Sequence, residues 1–306
     1  MLFLAAFCSL AAAGGILLSL SRTHHEADLD SVVQLTTDLT RDANQVGLAV
    51  TRISDQRETE IGRGIEREIA ASGWLRDSPA LRTYVTAVAQ PLIEHTRRKG
   101  IAYRFYIVGS PAINAFAIPG GSVYVTTGML DFLESEAELA AILGHEISHV
   151  DLKHCVERLQ YEVAARKIGG DDLAAIAALG SLLWGLGFSE EQELEADAQG
   201  ALLAADAGYD PRGARATFQR LAQREPSTRV EKPRLMVGEL AVALGKALEQ
   251  YFATHPPTES RIRELDNLFA RNARAWRGRT FYVGQWNYQE RIPRSRSDQP
   301  AERRTY

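Results

Sequence analysis

His145 and His149 stand four residues apart in the stretch Gly144-His145-Glu146-Ile147-Ser148-His149, with Glu146 directly after the first histidine. On a helix, four residues is just over one turn, so both imidazoles project from one face and can share one metal ion. At about 100° per residue, the histidines lie about 40° apart and Glu146 about 100° from His145. Two histidine ligands with an adjacent carboxylate suit metal-assisted hydrolysis, the carboxylate acting as general base. The competing reading is a helix that carries two surface histidines, since so short a pattern also arises by chance. Leu139, Ile142, Leu143 and Val150 form an apolar arc beginning beside the histidines, which puts the polar trio on the shoulder of a buried face. Ser135 and Glu138 provide a capping box to start this helix.

A zinc site needs a third protein ligand and leaves a fourth position for water. His154 is nearby, but the spacing HExxHxxGxxH would place glycine at Leu152 and histidine at Cys155, so His154 reads as a surface residue. The other source is a second helix over residues 189–206, with Ser189 and Gln192 as a capping box and Gly208 beyond its end. On its wheel Glu193 and Asp197 share a face with Ala196, Gly200 and Ala204, a strip of small residues suited to close helix approach. Glu195, Gln199 and Asp206 fall opposite and read as solvated. Geometry favours Glu193 as the ligand, with Asp197 placed to accept a hydrogen bond from a ligand histidine and orient it. Glu190 and Glu191 have a simpler explanation as acids at a helix N-terminus.

The remaining elements position these helices. Ile61, Ile65 and Ile69 mark an apolar face of a helical region over residues 31–72 that Gly73 closes. A second helix spans residues 79–95, with Pro91 expected to kink or divide it. Ile101, Tyr103, Phe105 and Ile107 alternate with other residues at the period of a strand, and two further β-prone runs, 114–118 and 122–126, flank Pro119-Gly120-Gly121 as a hairpin. A small sheet across the metal helix could offer an edge strand to an extended peptide, with Asn114, Ala115 and Phe116 the candidate substrate-binding residues. The predicted fold is therefore α+β and mainly helical, with a small sheet over the HExxH helix.

The chain has 306 residues, 45% hydrophobic and 24% charged, enough to bury a sizeable core. A formal charge of −4 and the lack of a basic stripe argue against nucleic acid as a partner. Two cysteines, Cys8 and Cys155, imply no disulfide framework. Residues 2–20 carry no charge and precede a polar stretch, which reads as a signal peptide or membrane anchor over 1–20 and a cell-envelope or periplasmic location. The expected organisation continues with a helical N-terminal segment 21–54, a metallopeptidase domain 55–275 and an arginine-rich, partly disordered extension 276–306. The apolar run 173–188 is short and glycine-interrupted, and reads as a packed or membrane-touching helix.

HEISH, then Glu193-Leu-Glu-Ala-Asp197, then His255-Pro-Pro-Thr-Glu-Ser-Arg261 resembles the gluzincin family of CAAX prenyl proteases and HtpX-like proteases, in its soluble periplasmic branch. The run Asn114-Ala-Phe-Ala before the metal helix is also similar, and the likeness spans roughly residues 55–270. The resemblance implies one Zn²⁺ per chain on His145, His149 and Glu193, with Glu146 as catalytic acid and base. It brings His255 and Arg261 to the active site as candidate catalytic residues: His255 to donate to the oxyanion or occupy the zinc, Arg261 to hold Asp197 or a substrate carbonyl. The implied activity is zinc endopeptidase action on unfolded or misassembled envelope proteins. The alternative is a zinc-stabilised chaperone or assembly factor whose protease is dormant.

Overall fold

A computed structural model describes residues 53–165, 188–223, 255 and 259–306. The expectations for residues 1–20, for most of 21–54, for 173–187 and for the Pro256-Pro257 elbow lie outside the described residues. Helix α1 (Asp55–Ala71) is capped by Ser54, whose hydroxyl accepts the Arg57 N–H, and it buries Ile61, Ile65 and Ile69. Helix α2 (Pro79–Ile93) keeps Pro91 in its last turn, so the proline neither divides the helix nor leaves a second segment behind it.

Three strands follow: β1 (Arg104–Val108), β2 (Ala115–Ile118) and β3 (Ser122–Thr126). They lie in the order β1-β3-β2, with β1 parallel and β2 antiparallel to β3. Period-two alternation sends Val123, Val125, Ala115, Ala117, Phe105 and Ile107 into the main core, and Tyr124, Ile118 and Val108 into a second core under α1. Because both faces are covered, β3 is buried throughout. The Pro119-Gly120-Gly121 turn has positive φ at both glycines, and it is fastened to α1: a Cβ at Gly62 would meet the Pro119 oxygen at 2.1 Å, and the Gly120 N–H donates to Glu58 at 3.0 Å.

Helix α3 (Thr127–Phe132) separates the hairpin from α4 (Glu136–Asp151), the HExxH helix. Ser135 caps α4 as expected, but the capping box is only half formed. Glu138 accepts instead from the Glu134 N–H at 2.8 Å and from Arg220, which draws it off the cap. Every residue of α4 is buried, so the helix is the axis of the domain rather than a cleft wall. It is followed by α5 (His154–Ala165), α6 (Glu190–Asp206), α7 (Arg212–Ala222) and α8 (Glu259–Trp276).

The extension after residue 275 is folded, contrary to the expected partial disorder. Strand β4 (Thr280–Tyr282) pairs with β5 (Arg303–Thr305), and α9 (Gln285–Glu290) lies between them in sequence. The Gly284 and Val283 carbonyls accept the Glu136 and Ala137 N–H groups at 3.1 and 3.0 Å, so this extension satisfies the open N-terminus of α4. Arg294 stacks over Tyr282 at 5.0 Å, and Tyr306 packs edge-on against Trp276 at 5.2 Å. Arg279, Arg291, Arg294 and Arg303, among the arginines that suggested disorder, lie over aromatic faces. The expected mainly helical α+β architecture, with a small sheet over the HExxH helix, is what the structure shows.

Glu136, fully buried in the first turn of α4, sits among Tyr84, Tyr209 and the Arg294 N–H. Burial pushes its carboxyl from 4.5 up to about 7, outweighing these partners. Between those two values the folded chain holds a proton that the unfolded chain releases, so stability falls as pH rises through that window. Urea unfolding from pH 4.5 to 7.5 should show wild type losing on the order of 2–3 kcal/mol relative to Glu136→Gln. Parallel pH profiles for the two proteins would remove Glu136 as the cause.

Candidate metal centre

The site is made where α4 crosses α6. The crossing has glycine on both sides: a Cβ at Gly200 would lie 2.7 Å from the His145 nitrogen, and one at Gly144 would lie 2.8 Å from the Gly200 oxygen. Backbone therefore meets backbone, and Glu193, two turns before Gly200 on the same face of α6, comes level with His145 and His149. Ser189 and Gln192 form a complete capping box that fixes where α6 begins.

Four ligand-type atoms converge. His145 Nε2 lies 3.0 Å from His149 Nε2 and 3.2 Å from His255 Nδ1. Glu193 oxygens lie 3.5 Å from both His145 Nε2 and His149 Nε2, and 2.7 Å from His255 Nδ1. Tetrahedral zinc with bonds of about 2.0–2.1 Å separates its ligand atoms by roughly 3.3 Å. The distances observed, 2.7 to 3.5 Å, bracket that value, and all four residues are at least 98% buried. Imidazole lone pairs brought this close repel one another unless a proton or a cation lies between them, so the donor set fits a metal ion.

The outward nitrogens set the tautomers. A carboxylate only accepts, so His145 Nδ1–H donates to Asp197 at 2.8 Å and Nε2 keeps its lone pair for the centre. Arg261, 1% exposed, donates to both Asp197 oxygens at 2.6 and 2.7 Å and forms an ion pair with Glu193 at 2.9 Å, with its guanidinium over Phe218. The hold on Asp197 is the first of the two contacts expected of Arg261, and the ion pair with Glu193 adds to it. Burial disfavours the charged form of Glu193, yet His255, His149 and His145 together pull its pKa below the carboxylate range. Burial also lowers His149 well below its ordinary value.

Glu146 is completely buried, with Oε1 3.7 Å from His255 Nε2. Burial raises its pKa, against the pull of His255 and His145. The Ala117 backbone on β2 faces it, so the carboxylate lies between the metal locus and the edge strand. Asn114 and Ala115 are buried, and Phe116 stacks on Tyr124 at 4.8 Å on the α1 side of the sheet. What β2 can offer a peptide is its backbone.

Three further residues reach the centre that the spacing did not single out. His154, expected at the surface, is 2% exposed and bonds His149; Glu195, solvent-exposed as expected, bonds His154; Phe188 stacks on His149 at 3.8 Å. The one available signal was Phe188, an apolar residue placed just before the Ser189 cap.

An HExxH helix crossed by a helix that brings a glutamate to the same centre defines a gluzincin-type metallopeptidase. Residues 79–269 match the model of peptidase family M48, and the chain belongs to that family of zinc metalloendopeptidases. It is 32% identical over 174 residues to the mitochondrial metalloendopeptidase OMA1 of Arabidopsis thaliana, covering 55% of this chain and 32% of that one. It is 26% identical over 237 residues to the β-barrel assembly-enhancing protease of Escherichia coli, covering 72% of this chain and 45% of that one. The chain thus spans between a third and a half of the length of these relatives.

Gly200→Ala tests the crossing. An added methyl has only backbone to push against, which outweighs the ~1 kcal/mol that alanine gains in a helix. Urea unfolding should show a net loss of about 1–3 kcal/mol, and zinc titration should show weaker binding. A variant as stable as wild type would mean that the helices do not depend on glycine there.

Proposed function

We propose that the chain is a zinc endopeptidase of the cell envelope, holding one zinc on His145, His149 and Glu193 and cutting unfolded or misassembled proteins. The observation that carries this reading is the convergence of ligand atoms from four buried residues, with the Glu146 carboxylate beside them. Zinc bound there would lower the pKa of water toward neutrality and polarise the scissile carbonyl. Glu146 takes the water's proton and delivers it to the leaving amine. Asp197 and Arg261 hold His145 and Glu193 in place while this happens. The edge of β2 would take an extended peptide through main-chain bonds, which select for extended conformation rather than side chain and so suit unfolded substrates.

The envelope assignment is supported by the apolar residues 2–20 and by the name of the Escherichia coli relative. Among the described residues no helix is long and apolar enough to cross a membrane, and residues 1–20 are the proposed point of membrane contact.

The second reading, a chaperone or assembly factor with a dormant protease, is favoured by one feature. His255 Nδ1 stands beside His145 and Glu193, where it would compete with water for a bound metal, and both it and Glu146 are buried. On our reading His255 closes the resting form and leaves it when substrate arrives.

Glu146→Gln should bind zinc like wild type while casein cleavage falls by about 100- to 10,000-fold; undiminished cleavage would sink the assignment. His255→Ala should raise casein cleavage, since it opens the fourth position. Loss of cleavage in that variant, with zinc retained, would instead make His255 a donor to the reacting carbonyl.

A further inference from the structure

The two histidines of the HExxH helix are oriented by different devices. His145 has Asp197, a buried carboxylate locked by Arg261. Among the described residues His149 has no carboxylate at its outer nitrogen. Its Nδ1 lies 3.0 Å from His154 Nδ1, and His154 Nε2 lies 3.1 Å from Glu195 Oε2. Since Glu195 can only accept, His154 carries its proton on Nε2, and its Nδ1 is then an acceptor. His149 must therefore donate from Nδ1, which leaves the Nε2 lone pair facing the metal locus. Each proton in this chain has one place to go. Phe188 lies nearly parallel to the His149 ring, with an interplanar angle of 16°, which fixes the ring plane that the hydrogen bond then sets in azimuth.

Backbone geometry puts the relay there. Helix α4 stops at Leu152, and Lys153 takes a left-handed φ of 69°, which turns the chain so that His154 opens α5 against His149 rather than continuing away from it. Glu195 is on the first half of α6, between the ligand Glu193 and the orienting Asp197. That half-helix thus reaches the ligand set in three ways.

We propose that Glu195 and His154 form a positioning relay that holds His149 in its Nδ1–H form and aims Nε2 at the metal, as Asp197 does for His145. The proposal rests on the zinc reading above. It predicts a metal-binding defect when His154 loses its acceptor, and recovery when another acceptor replaces it.

The test is zinc titration against a competing chelator for wild type, His154→Leu, His154→Asn and Glu195→Ala. Nitrogen-15 histidine spectra of the zinc-loaded proteins report which His149 nitrogen is protonated. His154→Leu should weaken zinc binding by about 10–100-fold, as lost partners of metal-bound histidines do, and should lose the slowly exchanging His149 Nδ1 proton. His154→Asn, whose side-chain oxygen can accept the same bond, should stay close to wild type in both. Glu195→Ala should weaken binding by less, because the Glu195 side chain is 56% exposed and water can take its place. This exposed variant also decides the matter should His154→Leu fail to fold. Zinc affinity unchanged in His154→Leu, or an equal defect in His154→Asn, would overturn the relay and reduce His154 to packing. Wild type that binds no zinc would sink the metal reading itself, a result distinguishable from either.

Discussion

The contact on which the rest depends is the one between Gly144 and Gly200. Ligands on two helices meet at one point only if the helix axes come closer than side chains normally allow, and here no Cβ intervenes on either side. The consequence reaches beyond distance. Backbone packed on backbone fixes the register of α6 against α4, since sliding by one residue would drive an alanine or a histidine methylene into the gap. Register then decides that Glu193 faces the histidines and Asp197 faces the back of one of them. Close packing of this kind is stiff, and a metal centre needs stiffness because ligand geometry must hold to fractions of an ångström.

Bringing the groups together has an electrostatic cost that the centre resolves internally. Glu146, Glu193 and Asp197 are three buried carboxylates, and Arg261 is the one buried guanidinium among them. Counted as ionised, the cluster carries two uncompensated negative charges. Isolated buried charge of that size is prohibitive, and a dication balances it. The same count explains the shape of the ion-pair network. Arg261 pairs with Glu193 and Asp197 and not with Glu146, so the carboxylate to which we assign the proton transfers is not tied to a permanent cation. Metal binding and stability are in this way coupled, because the charges that would destabilise the metal-free fold are those that hold the ion.

The centre was largely legible from spacing, and the places where reading stopped have physical causes. HExxH and the wheel of residues 189–206 place His145, His149, Glu193 and Asp197 correctly relative to one another, because helical periodicity is local and both segments are helices from cap to end. His154 was misread because a single residue, Lys153, takes a conformation that non-glycine residues rarely adopt and reverses the chain. Periodicity carries no information across such a turn. Glu195 is exposed as its wheel position implies, and its bond to His154 was out of reach of the wheel because it depends on that same turn. The last thirty residues were misread from composition. Arginine counts as a solvated charge in any tally, yet Arg291, Arg294 and Arg303 lie over Tyr288 and Tyr282. Stacking of this kind depends on which aromatic the fold brings near, which no local pattern records.

The enclosure of the centre constrains how a substrate can reach it. Helix α4 is held at its N-terminus by the Val283 and Gly284 carbonyls, at its C-terminus by Asp151, which accepts the Arg97 and Arg98 N–H groups, and at its middle by the glycine crossing. Displacing any of these breaks backbone bonds or separates packed helices, at several kcal/mol. The sheet is no easier, since the hairpin turn is fastened to Glu58 on α1. His255 stands apart, because it meets the centre through its side chain, with a charge-assisted bond to Glu193. Such a bond contributes about 1.5–3 kcal/mol, and a substrate carbonyl that takes over the vacated position recovers part of that. On the proposed function the opening is the departure of His255, on the side of Glu146 and the β2 edge, where an extended peptide would lie.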